Sequence, residues 1–420
     1  HSDSSAASDV YKRQDQRIAN KVRLGIIGLG RGFMLTLPSL LAHADITLFA
    51  ACSTRSDARQ RFQSDFGGLA YSDYDAMLAN PDVDAVYVAT PHELHLQHAL
   101  AALAAGKCVL LEKPMAISVE QASQIVKASE DSGKPVIVGP SHSFDPAVNE
   151  ALRLIKTGDF GKVKIVHSAY HTNFMYRPRR PEELDTKRGG GVIFSQGSHQ
   201  FDIARMLAGG VGIELIGQAG VWDASRQSET AYTGLIYFAG GAIANLTYSG
   251  NDFYDSDLEL GSTSELGFPK VIDPGASRRM LDKLAGDDEA NLKKIRGYQG
   301  LEIFRSSRAQ SRNAEQNEHF GVWRVSLERA DLMVFHDRVE VYHENGKFVQ
   351  SVESPAGATR RAICDALVDV VGGRRMPIQT ADWAIGTLEC CEAMITSSRG
   401  QCLVSLKLQT PVDGHPNLDL

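Results

Sequence analysis

The sequence predicts an α/β protein, in which a doubly wound parallel sheet is followed by an α+β domain with a mostly antiparallel open sheet. Three observations predict it. Short apolar runs alternate with amphipathic, helix-length stretches up to about residue 144. The first run leads into a glycine cluster, Gly28-Leu-Gly30-Arg31-Gly32. After residue 145 the apolar runs follow one another with turn signals between them, as hairpins do.

Residues 1–17 are polar, contain no Met and lack the apolar stretch of a secretion signal. They are expected to be an adapter scar and are set aside. Residues 21–28 (KVRLGIIG) form the first strand, residues 34–43 a helix, and residues 46–52 a second strand. A further helix opens near Ser56. Residues 84–89 are a strand ended by Thr90-Pro91, and residues 93–105 a helix closed by Gly106. Residues 107–111 are the next strand. Residues 118–132 form a helix with Ser118 and Gln121 as a capping box, and residues 135–139 a last buried strand. Alternation of this kind builds a parallel sheet, so residues 18–144 are one domain.

Residues 145–420 read differently. A helix at 147–156 precedes a one-sided strand at 162–171, and strands follow at 233–238, 242–249, 321–328, 331–335 and 338–343. Asn345-Gly346 is a hairpin turn. The expected sheet has helices on one face, and its open face is expected to pair in a homo-oligomer, a dimer or tetramer. Residues 253–319 are polar and rich in Ser, Gly, Arg and Asp, with a helical piece at 278–294. They read as an insertion that either folds over the active site or builds an oligomer contact.

Lys and Arg total 44 against 51 Asp and Glu, a formal charge of −7, which argues against a nucleic-acid surface. No apolar run approaches the roughly 20 residues that span a bilayer. The six cysteines form no C-x-x-C pair and are expected to be reduced core residues of a cytoplasmic protein.

The glycine cluster follows a strand and opens a helix, the context in which it signals a Rossmann-type dinucleotide site. Gly28 permits the tight turn, and Gly30 lets the backbone approach a pyrophosphate. The usual third glycine is replaced by Phe33, with Gly32 one position early. At the end of the second strand, where an NAD enzyme carries a carboxylate for the ribose, stand Ser53, Thr54 and Arg55. Hydroxyls with a guanidinium suit a 2′-phosphate, so NAD(P) is expected, with NADP favoured.

Glu112-Lys113-Pro114 ends a parallel strand at the edge where open α/β sheets bind ligands, and the lysine can act on a substrate hydroxyl. Gly189 to Asp202 (GGGVIFSQGSHQFD) places His199 on a helix after a glycine turn. Arg177, Arg179, Arg180 and Arg188 crowd the segment before it and could clamp carboxylates, one or two of them reaching the substrate. His92, His95 and His98 are three apart and drift around a helix, a poor metal triad, so no metal is expected.

Taken together, the glycine turn, E-K-P and G-G…H-x-x-D resemble the glucose–fructose oxidoreductase/myo-inositol dehydrogenase family, known as Gfo/Idh/MocA. The resemblance covers residues 20–250 well and 320–408 more loosely. It implies Lys113 and His199 as the catalytic pair. It also implies that Thr90, Pro91 and His95 line the cofactor, with Arg31, His92 and Glu112 beside them. Polyol-oxidising members often carry Asp four residues before the histidine. Ser195 stands there, a lost negative charge that suits an anionic substrate. The arginine loop, Ser195 and the insertion most resemble the branch that oxidises phthalate 4,5-cis-dihydrodiol. Its rivals are a sugar or inositol dehydrogenase on the same scaffold and a non-catalytic NADP-binding regulator.

Overall fold

The computed structural model describes residues 21–284, 286–295, 298, 316–353 and 360–418. Residues 1–17, set aside above, lie outside them. In the first domain the chain runs β1 (Val22–Ile27), α1 (Arg31–Ala42), β2 (Ile46–Cys52), α2 (Ser56–Phe66), β3 (Leu69–Tyr71), α3 (Tyr74–Leu78), β4 (Ala85–Val88), α4 (His95–Ala104), β5 (Cys108–Leu111), α5 (Val119–Ser132) and β6 (Val136–Val138). All six strands are parallel, in the order β3-β2-β1-β4-β5-β6. Every residue of β4 and β6 is buried, as a sheet covered on both faces requires. Chain order reverses between β1 and β4, and ligands bind in the crevice beyond such a switch point.

The second domain begins with α6 (Pro146–Lys156) and β7 (Val163–His171), then α7 (Ser198–Ala208), β8 (Gly212–Gly220), β9 (Ala231–Phe238) and β10 (Ile243–Ser249). The insertion follows, with α8 (Ala276–Leu281) and α9 (Gly286–Ile295). The sheet resumes with β11 (Trp323–Leu327), β12 (Ala330–Val334), β13 (Arg338–His343) and β14 (Gly346–Ser351). Helices α10 (Arg361–Val371) and α11 (Ala381–Gly400) and a short β15 (Val404–Ser405) complete the chain. Nine strands are ordered β14-β13-β12-β11-β7-β10-β9-β8-β15, all antiparallel except β7 with β10.

Three findings depart from the sequence reading. Strand β8 begins and ends in glycine and lacks strict alternation, which hid it. Helix α10 leaves the second domain and buries Ile363, Cys364 and Leu367 in the core around β1 and α1. Cys402 is exposed rather than packed. Cys390 is buried in α11, and burial pushes its thiol up to about 12, so it behaves as a packing residue. No described helix is long and apolar enough to cross a membrane.

Candidate active site

Gly28 sits at the C-terminal end of β1 with φ +98, where a Cβ would meet the Ala89 carbonyl at 2.8 Å. Gly30 caps α1 without any side-chain hydrogen bond, and the first turn of α1 has no acidic residue. The N-terminal turn of α1, with its helix dipole and no acidic side chain, fits a pyrophosphate. Gly32 explains the displaced third glycine, since a Cβ there would lie 2.8 Å from the Glu112 carboxylate. Phe33 corrects the sequence reading. Its ring is sealed in the core against Tyr298, so its side chain is a packing group.

At the end of β2, Ser53 Oγ accepts from the Arg55 N–H at 3.3 Å, and Arg55 Nη2 donates to the Leu29 carbonyl at 2.9 Å. The guanidinium is thereby folded across the glycine turn, with Thr54 exposed beside it. Arg59 Nη1 donates to the Ser53 carbonyl at 2.7 Å, which adds a second cation at this corner.

Past β4, Thr90 Oγ1 lies 3.1 Å from His98 Nδ1. His95 is buried between the carbonyls of Thr90 (3.0 Å) and Pro114 (2.9 Å). Burial holds it down to about 4, so the neutral ring donates to one of them and ties the Thr90-Pro91 turn to the Glu112-Lys113-Pro114 turn. With both His95 nitrogens committed, His92, His95 and His98 make no metal triad. Burial also depresses His92, to about 3, against the turn at Gly189. The Glu112 carboxylate lies against Gly32 of the glycine turn and accepts from Tyr87 Oη, with the Arg360 charge close by. It therefore packs the lysine turn against the glycine turn.

Lys113 and His199 come together. Lys113 Nζ donates to the Ser195 carbonyl at 2.6 Å, from a turn of π-helix at Ile193–Gly197 that runs into α7. Such wide turns recur at functional sites. Burial pushes the Lys113 ammonium down to about 8, against the pull of Glu112 and Glu265 and helped by Arg360 and Arg179. His199 is buried one turn further on. Burial, then the Lys113 and His142 charges, hold it well below its usual range, so it is a neutral ring.

Around this pair stand residues that the sequence reading missed. The His142 ring lies 4.7 Å from that of His199, and Phe320 packs on His199 at 5.2 Å. His142 Nδ1 bonds Asp145 at 2.7 Å, while its Nε2 faces Glu265 at 3.6 Å. Burial alone would lower His142, and the two carboxylates more than reverse that, to about 10, so it is an imidazolium. His142 follows β6 at the same sheet edge as Lys113, a position that could have flagged it. Glu265 belongs to the insertion, and no sequence signal marks it.

The described part of the insertion therefore folds over the site, while residues 285, 296–297 and 299–315 of it lie outside the described residues. Its helix α9 also seats on the arginine loop, where Glu289 accepts from the Arg179 backbone at 3.0 Å and from Arg226 at 3.1 Å, and Lys293 pairs with Glu183. The four arginines separate. Arg177 faces Glu265 at 3.5 Å, and Arg179 is buried on the Phe174 ring with its Nε unbonded. Arg180 pairs with Glu182 and Glu183, and Arg188 with Glu93 at the surface. The last two are drawn out of the site. A cavity of about 360 Å³ opens beside Arg177, lined also by Asn173, Lys270 and Arg278. Ser195 lends a carbonyl to Lys113, and the charge missing from its side chain does not leave the site without a carboxylate, because Glu265 is there.

Residues 22–140 match the family described as an oxidoreductase family with an NAD-binding Rossmann fold, and residues 148–263 match the GFO/IDH/MocA C-terminal domain. This chain belongs to the Gfo/Idh/MocA oxidoreductases. It is 38% identical over 392 residues to 1-carboxy-3-chloro-3,4-dihydroxycyclohexa-1,5-diene dehydrogenase of Comamonas testosteroni, which covers 91% of this chain and 96% of that protein. An inositol 2-dehydrogenase of Saccharopolyspora erythraea is 32% identical, but over 45% of this chain and 54% of its own length. Among solved structures, a provisionally assigned dehydrogenase of Bordetella bronchiseptica RB50 superposes with a TM-score of 0.85 at 33% identity, covering 92% of this chain and all of that one. The chain is thus a nicotinamide-dependent oxidoreductase. The regulator reading falls away.

Proposed function

We propose that this enzyme oxidises an anionic cis-dihydrodiol to a catechol in the degradation of an aromatic acid. The substrate is cis-4,5-dihydroxycyclohexadiene-1,2-dicarboxylate, giving 4,5-dihydroxyphthalate, or a carboxylated diol of the same class. The observation that carries this is the reach of the buried Lys113 amine, from the end of β5, to the Ser195 carbonyl at 2.6 Å, one turn before the buried His199 imidazole whose state its charge affects. The Comamonas relative, matched along almost its whole length, acts by its name on a carboxylated cyclohexadiene diol.

A bound oxidised nicotinamide supplies the hydride acceptor. Lys113, in its neutral form, donates one N–H to the Ser195 carbonyl and takes the proton of the reacting hydroxyl. His199 holds the same hydroxyl. As the C–H hydride leaves, the C–O bond becomes a carbonyl, and tautomerisation to the catechol draws the reaction forward. Arg177 is the favoured carboxylate ligand, supported by its place beside the cavity, with Arg179 as second candidate although Glu183 and the Phe174 carbonyl also engage it. Arg55 and Ser53 favour NADP.

A panel of the phthalate dihydrodiol, a chlorinated monocarboxylate dihydrodiol, inositol and glucose, each with NAD and NADP, tests the reading. Turnover of inositol or glucose with none of either diol refutes it. The outer face of the nine-stranded sheet exposes Ile165, Ile216 and Tyr342, and it is proposed as the contact between copies of the chain. Light scattering that finds only monomer removes that contact.

A further inference from the structure

Between β10 and β11 the insertion makes a tight hairpin whose tip enters the active site. Thr263 bridges Pro269, Gly267 N–H donates to the Ser264 carbonyl at 2.7 Å, and His319 N–H donates to the Glu265 carbonyl at 3.1 Å. His319 Nε2 also meets the Thr263 carbonyl at 3.0 Å, which fixes the hairpin from the far end of the insertion. The backbone of Glu265 is therefore held, and its side chain is 16% exposed.

The carboxylate itself is under-used. One oxygen lies 3.6 Å from His142 Nε2 and the other 3.5 Å from Arg177 Nη1, both at the outer limit of hydrogen bonding. A carboxylate offers about four acceptor positions. His142 and Arg177 keep it ionised, well below the usual carboxylate range, although burial opposes this. Ligand atoms of Glu265, His142 and His199 all lie within 4.8 Å of one another. An ionised, buried acceptor beside the catalytic pair is costly unless a donor completes it. A vicinal diol brings that donor, because Lys113 and His199 deal with one hydroxyl and leave the second unheld.

We propose that Glu265 accepts the hydrogen bond of the second, non-reacting hydroxyl, so that the insertion makes the enzyme a reader of vicinal diols rather than of single alcohols. This rests on the dehydrogenase reading above. The same carboxylate faces Lys113 together with Glu112, while Arg179, Arg360 and His199 face it from the other elements. Glu265 is thus a specificity and positioning residue with two separable effects.

The test measures binding of 3,4-dihydroxybenzoate and of the two corresponding monohydroxybenzoates to the cofactor-loaded enzyme by titration calorimetry. Wild type is expected to favour the dihydroxy acid by about 10- to 100-fold, the range of one charge-assisted hydrogen bond. Glu265→Gln and Glu265→Ala are expected to lose most of that preference while binding the monohydroxy acids as before. In steady-state assays with a dihydrodiol acid, Glu265→Gln is expected to move the alkaline rise of kcat/KM to lower pH, since one of the charges holding the Lys113 proton is gone. A merely structural role would lower all ligands together and leave that pH unchanged, which overturns the proposal. A wild-type enzyme that binds mono- and dihydroxy acids equally overturns it without any variant. Loss of activity on chelation, restored by Zn²⁺ or Mn²⁺, also overturns it, because Glu265, His142 and His199 would then be metal ligands. Failure of wild type to reduce nicotinamide with any diol is a different result and removes the dehydrogenase reading itself.

Discussion

Raising the assay pH separates Lys113 from every other candidate base. The amine is lowered from 10.5 to about 8, chiefly by burial. At pH 7 an amine of pKa about 8 is about one-tenth neutral, whereas at 10.5 about one molecule in three thousand is, so the site makes its base roughly 300-fold more available. The base form is the unprotonated one, so activity is lost as pH falls below about 8 and gained as it rises through it. Between about pH 7 and pH 9, kcat/KM should climb close to tenfold and then level off, provided the diol and cofactor remain intact. The measurement is the initial rate of nicotinamide reduction at low substrate across that range. Lys113→Ala should lower kcat by about 10²- to 10⁴-fold and abolish the rise. A flat wild-type profile, or a Lys113→Ala enzyme of normal rate, refutes the assignment.

Five further outcomes follow from the geometry. Arg55→Ala should raise KM for NADP by about 10- to 100-fold and leave NAD nearly unchanged, as loss of one charged hydrogen-bond partner does; equal loss for both cofactors removes the phosphate reading. Arg177→Ala should raise KM for a carboxylated diol at least tenfold with a smaller change in kcat, by the same order of magnitude. Arg188→Ala, paired at the surface with Glu93, should change neither constant. Gly28→Ala places a Cβ 2.8 Å from both the Ala89 carbonyl and Thr90 Cγ2 at φ +98, so nicotinamide fluorescence should report weak or absent cofactor binding. Asp202 is buried and accepts from Ser141, Ser143, Trp383 and Thr387, so Asp202→Ala should cost about 2–5 kcal/mol in denaturant unfolding by leaving several donors unmet.

The first domain was legible because its signals are local. A fully buried parallel strand must be a short apolar run, and Ser118 caps α5 through the Gln121 N–H at 3.2 Å, although the Gln121 side chain does not return the bond that a full capping box requires. The glycine turn declared itself by position, although the displaced Gly32 made sense only once Glu112 was seen against it. Phe33 misled because a fingerprint position was read as a contact, while the helix turns that ring into the core. His95 misled less, since it does sit at the Thr90-Pro91 turn, but as a clamp between two carbonyls.

The composition of 253–319 marked it as unlike its neighbours and carried nothing about where it goes. A carboxylate that acts from a hairpin tip has no period and no flanking motif. Its meaning comes from partners far away in sequence, and only the fold supplies those.

By itself the sequence determined the two sheet types, the nucleotide turn and the residues Lys113 and His199, because apolar period, glycine and turn chemistry act over a few residues. Only the tertiary structure decided which carboxylates the loop arginines meet, that α10 returns to the first domain, and that Glu265 and His142 stand beside His199. Those outcomes depend on burial and on charge pairing between distant segments, and the free energy of a charge is set by what surrounds it rather than by what precedes it in the chain.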